Sequence, residues 1–305
     1  MKVYLESKPV PWVTWDIQLW KENQQDKSQI EIVTSVSNAD VVMYEWWNDE
    51  FVNSLPVNKP IIIYLESLDK ASVTPFLSHI SNIQTCLVCS DSARVIQVLK
   101  ENGVAAVKWH RPTRVPKNDH FSCPDDLLIK NNDFVTVCNA ERYTDNFAEI
   151  VRAYLTVLSK NEALFDHNYD IFSVQPLPFE PFNTIRFNGL QANPYVFRTL
   201  KRAKVIISPY NGTGIPISAI DAAIVGTPVL LRDTEANRSV FTWNKMSYFS
   251  NEKELAEKFK YYINISPTSA DYLTMVQNNF TDVSNYLLPV AMEELIYMCQ
   301  EIVDD

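Results

Sequence analysis

The chain has 305 residues, 46% of them apolar, and carries 27 basic against 37 acidic side chains for a formal charge of −10. At roughly 150 residues per domain this length points to two domains with a core in each, and excludes a disordered tail, a collagen and a mini-scaffold. The negative charge sets the long-range field against duplex nucleic acid and anionic lipid, so neither a nucleic-acid partner nor strong membrane association is expected. Average usage of about 7% would give roughly 21 glycines. The chain has five, so each one kept is informative.

Five cysteines, Cys86, Cys89, Cys123, Cys138 and Cys299, are an odd number, and the opening MKVYLESKPVPW has no apolar signal-peptide core. Both features favour a reducing compartment, and a cytoplasmic location is expected. No stretch approaches the 18 or so apolar residues of a membrane span.

In chain order, short apolar runs come first: KVYL, IEIVTSV, DVVMYEW, PIIIYLES, TCLVCS and AAVKWH. Amphipathic stretches KASVTPFLSHISN and DSARVIQVLKENG separate the last three, the second with apolar Val95, Ile96, Val98 and Leu99 and a stop at Gly103. Short buried strands alternating with helices predict a parallel sheet of βαβ units over residues 1–115. Residues 116–132, within a proline-bearing polar stretch that begins at RPTRVPKND, read as a linker. The alternation then restarts: DFVTVCNA, DIFSV, TIRFNG, KVIISPY and TPVLL as strands, NFAEIVRAYLTVL, PYVFRTLKRA and AIDAAIV as helices. Helical patterns at 251–263, 267–280 and 285–303 close the chain. The expected fold class is thus α/β with two Rossmann-like doubly wound domains, 1–115 and 133–284, and a ligand cleft between them.

Four of the five glycines, Gly189, Gly212, Gly214 and Gly226, fall in the second half. They are expected where a side chain would collide or where φ is positive. Gly212 and Gly214 stand in PYNGTGIPISAIDAA, after a predicted strand and before a predicted helix. That arrangement aims backbone N–H groups and a helix N-terminus at one point, a place for a phosphate or diphosphate. Asp221, seven residues on, can face a ribose hydroxyl; a tight turn followed by a helix with a solvated Asp explains the same pattern.

The run SPYNGTGIPISAIDAAIVGTPVLL resembles the nucleotide-sugar signature of retaining glycosyltransferases of the GT-B fold, family 4 (group 1) type. There a strand ending in Ser-Pro leads to a glycine loop, an acidic residue before Ala, and a Gly-Thr-Pro-Val strand. RFNGLQANPYVFRTLKRAKVIISP and FVTVCNAERYTDNFAEIVRAYLTVL extend the likeness to about residues 133–303. The resemblance implies transfer of a sugar, with retention, from a UDP- or GDP-linked donor to a hydroxyl acceptor. It implies no cofactor, the nucleotide-sugar being a co-substrate, and no metal. Asp221 would hold the ribose, Arg142, Asn211, Gly212, Thr213, Gly214 and Ile215 the phosphates and sugar, and a C-terminal helix, 285–305, would cross back onto the first domain.

Two departures qualify it. The family's Lys after Arg142 is missing from YTDNF, where Asp145 stands near its place, leaving Arg186, Arg111 and Arg114 as candidate replacements. The glycine-rich acceptor loop is replaced by SKPVPWVTWD. On the acceptor side Glu66, at the end of PIIIYLE, and His110, beside the linker, are the candidate catalytic residues; a helix-capping carboxylate and a hinge histidine are the plainer readings of the two. Glu45 also ends a predicted strand. The tryptophans Trp12, Trp15, Trp20, Trp46 and Trp47 suit sugar faces or plain packing. Cys86 and Cys89 form a CxxC whose alternation puts them on opposite faces of a strand, against a zinc site. A non-catalytic GT-B-like sugar- or partner-binding subunit, and a nucleotide-sugar epimerase, remain rival readings.

Overall fold

The structure, a computed structural model, describes residues 1–6, 20, 29–44, 58–66, 68, 70–81, 83, 85–138, 147–159, 168–173, 184–189, 191–212, 214–242 and 244–304. The chain divides into two compact units, one of residues 1–114, 213–215 and 285–305, the other of residues 115–212 and 216–284.

The first unit contains β1 (Lys2–Glu6), β2 (Glu31–Val33), β3 (Val41–Tyr44), β4 (Ile61–Tyr64), α1 (Lys70–Ile80), β5 (Cys86–Ser90), α2 (Ala93–Glu101) and β6 (Ala106–Lys108). Its sheet runs β2-β1-β3-β4-β5-β6, with every pairing parallel. Strands β3 and β4 are buried along their whole length, as expected where helices cover both faces of a parallel sheet. Helix α2 starts at Ser92, whose hydroxyl accepts from the Val95 N–H, and stops at Gly103, whose φ of 79° turns the chain out of the helix.

The second unit contains β7 (Asn132–Cys138), α3 (Phe147–Leu158), β8 (Tyr169–Ser173), β9 (Ile185–Phe187), α4 (Asn193–Arg202), β10 (Ala203–Ser208), α5 (Ile217–Ile224), β11 (Val229–Arg232), α6 (Glu235–Arg238), β12 (Tyr248–Phe249), α7 (Glu252–Asn264) and α8 (Ala270–Asp282). Its order is β12-β11-β10-β7-β8-β9, again parallel throughout. Counted by appearance this is 6-5-4-1-2-3, the order of dinucleotide-binding sheets, and it reverses between β7 and β10. Its core centres on Phe134, whose ring meets Tyr154, Tyr169 and Phe259 edge-on at centroid distances of 5.9, 5.9 and 4.8 Å. Each such pair adds about 0.5–1.5 kcal/mol beyond the area it buries. The short α6 and two-residue β12 have no counterpart in the sequence reading, being too brief to show a period.

The closing helix α9 (Leu288–Asp304) belongs to the first unit. Its Leu295, Met298 and Ile302 pack with Val3, Val41, Met43 and Ile62 on one face of the first sheet. Phe76, Val95 and Leu99 of α1 and α2 cover Val42, Ile61, Ile63 and Val88 on the other. Buried Trp109 anchors α9 by donating its indole N–H to the Ala291 carbonyl at 2.9 Å. Trp20, the one N-terminal tryptophan among the described residues, packs edge-on against Trp109 and has no exposed surface. Cys89 joins the α9 side of the sheet and Cys86 the opposite side.

The segment read as a linker, 116–132, is folded onto the second unit. It forms short 3-10 turns at Lys117–Asp119 and Pro124–Ile129, and puts Leu127 into that unit's core. Its Phe121 N–H donates to the Ile224 carbonyl at 2.7 Å. Prolines and polar residues flag broken helix and strand, and these features are shared by a free linker and a packed irregular segment.

Candidate functional site

The carboxyl ends of β7 and β10 flank the reversal point of the second sheet, where open α/β sheets bind ligands. The loop leaving β7, with Glu141 and Arg142, lies outside the described residues. The loop leaving β10 passes Tyr210, exposed Asn211, half-buried Gly212 and buried Gly214 before Pro216, which occupies the N-cap position of α5. Thr213 lies outside the described residues, and Ile215 is buried at 4% exposure. Among the described residues no side chain caps α5. Its first amides and its dipole therefore face the loop, an electropositive backbone site of the kind that holds anions.

Asp221 lies within the buried run Ala219–Ile224 of α5 and has no exposed surface. The sequence reading places it near a ribose, and the structure places it one turn behind the loop. Gly212 keeps an ordinary φ, and a β-carbon there would overlap the Tyr210 ring. Gly226 has φ of 79° and a β-carbon would stand 2.7 Å from Cδ2 of Phe121. Its N–H donates to the Ala223 carbonyl and that of Thr227 to the Ala222 carbonyl, the double bond of a Schellman helix end. The Thr227 hydroxyl then donates to the Leu200 carbonyl at 2.6 Å, so the Gly-Thr-Pro-Val run is a helix stop and strand start.

Among the candidate cations, Arg186 is held by Asp170 through Nε at 2.9 Å and Nη2 at 2.7 Å, and Asn188 shares that carboxylate at 3.0 Å. Asp170 is the second residue of β8, so the pair sits toward the amino end of the sheet, away from the α5 loop. Arg232, which the sequence reading passed over, ends β11 at the carboxyl edge. It pairs with Glu149 in the first turn of α3, lies 5.1 Å over the Phe249 ring and donates to the Ser250 carbonyl at 3.2 Å.

The first sheet presents a different carboxyl edge. Glu66, just past β4, is exposed, and Glu45 lies outside the described residues. Asp91, just past β5, is 2% exposed and accepts from the Tyr64 hydroxyl at 2.8 Å through Oδ2, while its buried Oδ1 has no partner among the described residues. Burial pushes the Asp91 carboxyl up to about 7; the Tyr64 bond and the Arg111 charge pull it down and the Glu66 charge raises it. Burial also raises Tyr64 well above the usual phenol range. Neighbouring Ser90 donates to the Leu65 carbonyl at 2.6 Å. Arg111 itself is 9% exposed.

His110, past β6, is 7% exposed. Its main-chain N–H donates to Glu294 Oε2 at 3.0 Å and its ring Nδ1 lies 2.9 Å from Glu294 Oε1. The Tyr286 ring stands edge-on to the imidazole at 5.0 Å. Sequence reading missed both Asp91 and Glu294. Asp91 looks like an ordinary residue before a Ser helix cap, and Glu294 stands 184 positions from its partner in an amphipathic helix.

No protein-family model matches the sequence, and no curated protein matches it. Solved structures do match. A glycosyltransferase from Rickettsia africae aligns over 100% of this chain and 98% of its own at a TM-score of 0.69 and 12% identity. HepE from Anabaena, solved with UDP and glucose, aligns over 98% and 99% at 0.69 and 10% identity. A UDP-forming trehalose-phosphate synthase from Burkholderia xenovorans aligns over 95% and 77% at 0.64 and 10% identity. The chain has the two-sheet GT-B fold that these proteins share.

Proposed function

We propose that the protein is a glycosyltransferase that moves a sugar from a nucleotide-sugar to a hydroxyl acceptor. The observation that carries this reading is the uncapped start of α5, reached through a glycine loop, at the reversal point of a 3-2-1-4-5-6 sheet. Such a site offers amide donors and a positive dipole end to a leaving diphosphate, whose developing charge they stabilise. The UDP bound in the HepE structure supports a uridine donor as the first to test.

In this reading Gly212, Gly214 and Ile215 line the diphosphate and Asn211 reaches the donor sugar. Arg142 adds the charge that makes a metal dispensable. Asp221, buried behind the loop, accepts hydroxyl bonds from the ribose. Glu66 and His110 face the acceptor, and transfer proceeds with retention. We place the reaction in the cytoplasm, without a cofactor.

The pairing of Arg186 with Asp170 favours a second reading, a GT-B-like subunit that binds sugar or a partner without turnover, since this cation is already neutralised. Titration calorimetry with a panel of UDP- and GDP-sugars, followed by assay for released nucleotide with and without candidate acceptors, separates the two. Binding and acceptor-dependent release support transfer. Binding without release supports the second reading, release without acceptor points to hydrolysis, and no binding removes both.

A further inference from the structure

We propose that Glu294 of the C-terminal helix is the positioning residue of His110, fixing the ring as the Nδ1–H tautomer so that Nε2 receives the hydrogen bond of an acceptor hydroxyl. The acceptor part rests on the glycosyltransferase reading; the tautomer part does not.

The argument begins with helix docking. Trp109 donates its indole N–H to the carbonyl of Ala291, and Glu294 lies three residues further along the same helix face, so the bond that seats α9 also brings the Glu294 carboxylate to the next residue, His110. Leu295 and Met298 lock that helix into the core of the first sheet. An ionised carboxylate can only accept hydrogen bonds. Both atoms that His110 presents to it, the main-chain N at 3.0 Å and Nδ1 at 2.9 Å, must therefore donate, and Nδ1 carries a proton in every charge state of the ring. In the neutral imidazole the lone pair is then on Nε2, the ring's one remaining atom for hydrogen bonding. Tyr286, edge-on at 5.0 Å, closes one side of the ring and limits its rotation. The pair differs from a surface ion pair because the His110 side chain is 9% exposed and that of Glu294 32%. Two bonds from one residue to one carboxylate also fix its angle, which a single contact does not.

A hinge histidine needs no particular tautomer, whereas a hydrogen-bond acceptor for a hydroxyl needs a lone pair at a defined place. A His–carboxylate couple supplies one by holding the other nitrogen protonated. Substrate oxygen, ring and carboxylate then form one chain of donors and acceptors running from Nε2 through Nδ1 to Glu294.

The test uses the full chain labelled with 15N-histidine. Its long-range 1H–15N spectrum above the titration range should show His110, assigned by comparison with His110→Gln, as the Nδ1–H tautomer. In Glu294→Gln one of the two accepting oxygens becomes an NH2 group that can only donate and the negative charge is lost, so the Nδ1–H form loses its preference and the His110 signal should move toward a mixture of tautomers. The same variant should lose about tenfold in transfer to the acceptor, the loss of one charge-assisted bond, with UDP-sugar affinity unchanged. Glu294→Leu, which fills the site without accepting, should lose more. A wild-type Nε2–H tautomer, or a tautomer that Glu294→Gln and Glu294→Leu both leave in place while circular dichroism shows a native fold, overturns the proposal. If the tautomer moves as expected but no sugar transfer is found with any donor, the positioning role stands and the glycosyltransferase reading falls.

Discussion

The two sheets end in opposite chemistry. At the described carboxyl edge of the second sheet the loop beside α5 is made of backbone and small groups, Asn211, Gly212 and Gly214, with its carboxylate Asp221 buried behind them. At the edge of the first sheet stand ionisable side chains paired with one another, Tyr64 with Asp91 and His110 with Glu294. Main-chain amides hold charge without titrating and fit an anion of fixed shape. Side-chain couples hold or release protons and fit a hydroxyl. In the proposed function donor chemistry falls to one edge and acceptor chemistry to the other, and four substitutions probe that division.

The largest effect is expected at the helix stop that seats α5, at the opposite end of that helix from the donor loop. Gly226→Ala puts a methyl group against Phe121 at a φ that L-residues resist, and should cost roughly 2–5 kcal/mol of stability. A denaturant midpoint shift corresponding to less than about 1 kcal/mol would mean that Phe121 moves and the turn relaxes.

Asp91→Asn probes the acceptor edge through pH. Below about pH 4 the folded and unfolded chains both carry this proton, and Asp91 adds no difference. As pH rises the unfolded chain loses its proton first, while burial keeps the folded carboxyl protonated up to about 7, so wild-type stability falls across that window and levels off above it. Asn cannot ionise and still accepts from Tyr64. The variant should therefore gain on wild type by on the order of 2–4 kcal/mol at pH 8 and match it near pH 4. Thermal or urea unfolding across pH 4–8 measures this, and equal pH profiles for the two proteins would show that Asp91 ionises freely.

Asp221→Asn keeps the buried volume and removes the charge. Nucleotide binding should weaken by about 1.5–3 kcal/mol, the worth of bonds to a charged group. Calorimetry with UDP decides it, and unchanged affinity in a folded variant takes Asp221 out of the donor site. The smallest stability effect is expected at Glu66, which is exposed: Glu66→Gln should change the unfolding free energy by less than about 0.5 kcal/mol. If acceptor turnover then falls with nucleotide affinity intact, Glu66 acts on the acceptor side as expected; unchanged turnover leaves it a solvated strand-end carboxylate.

Much of this architecture was legible in the residues. Runs such as PIIIYLE and KVIISPY are apolar on both faces, which only a strand covered on both sides tolerates, and β4 and β10 lie where they were read. Gly103 marked a helix end, and Gly226 a place where φ is positive, because glycine takes that φ at no steric cost. The turn after β10 was legible for a different reason, since two closely spaced glycines between a strand run and a helix run mark a turn, and Gly212 keeps an ordinary φ there. Less legible were features that depend on what comes to lie alongside: Leu127 and Phe121 turn an apparent linker into part of a core, and Arg186 meets Asp170 across two strands.

The sequence by itself determined the alternation of strands and helices, the places where helices stop and the glycine turn that leads from β10 into α5. These follow from local forces: side-chain period, backbone φ and the orientation of peptide dipoles all act within a few residues. Tertiary structure alone decided which carboxylate is buried with a raised pKa, which arginine is already paired, and that Glu294, at the far end of the chain, meets His110. Desolvation and ion pairing are set by neighbours in space, and in a sheet whose strand order reverses, neighbours in space are far apart in sequence.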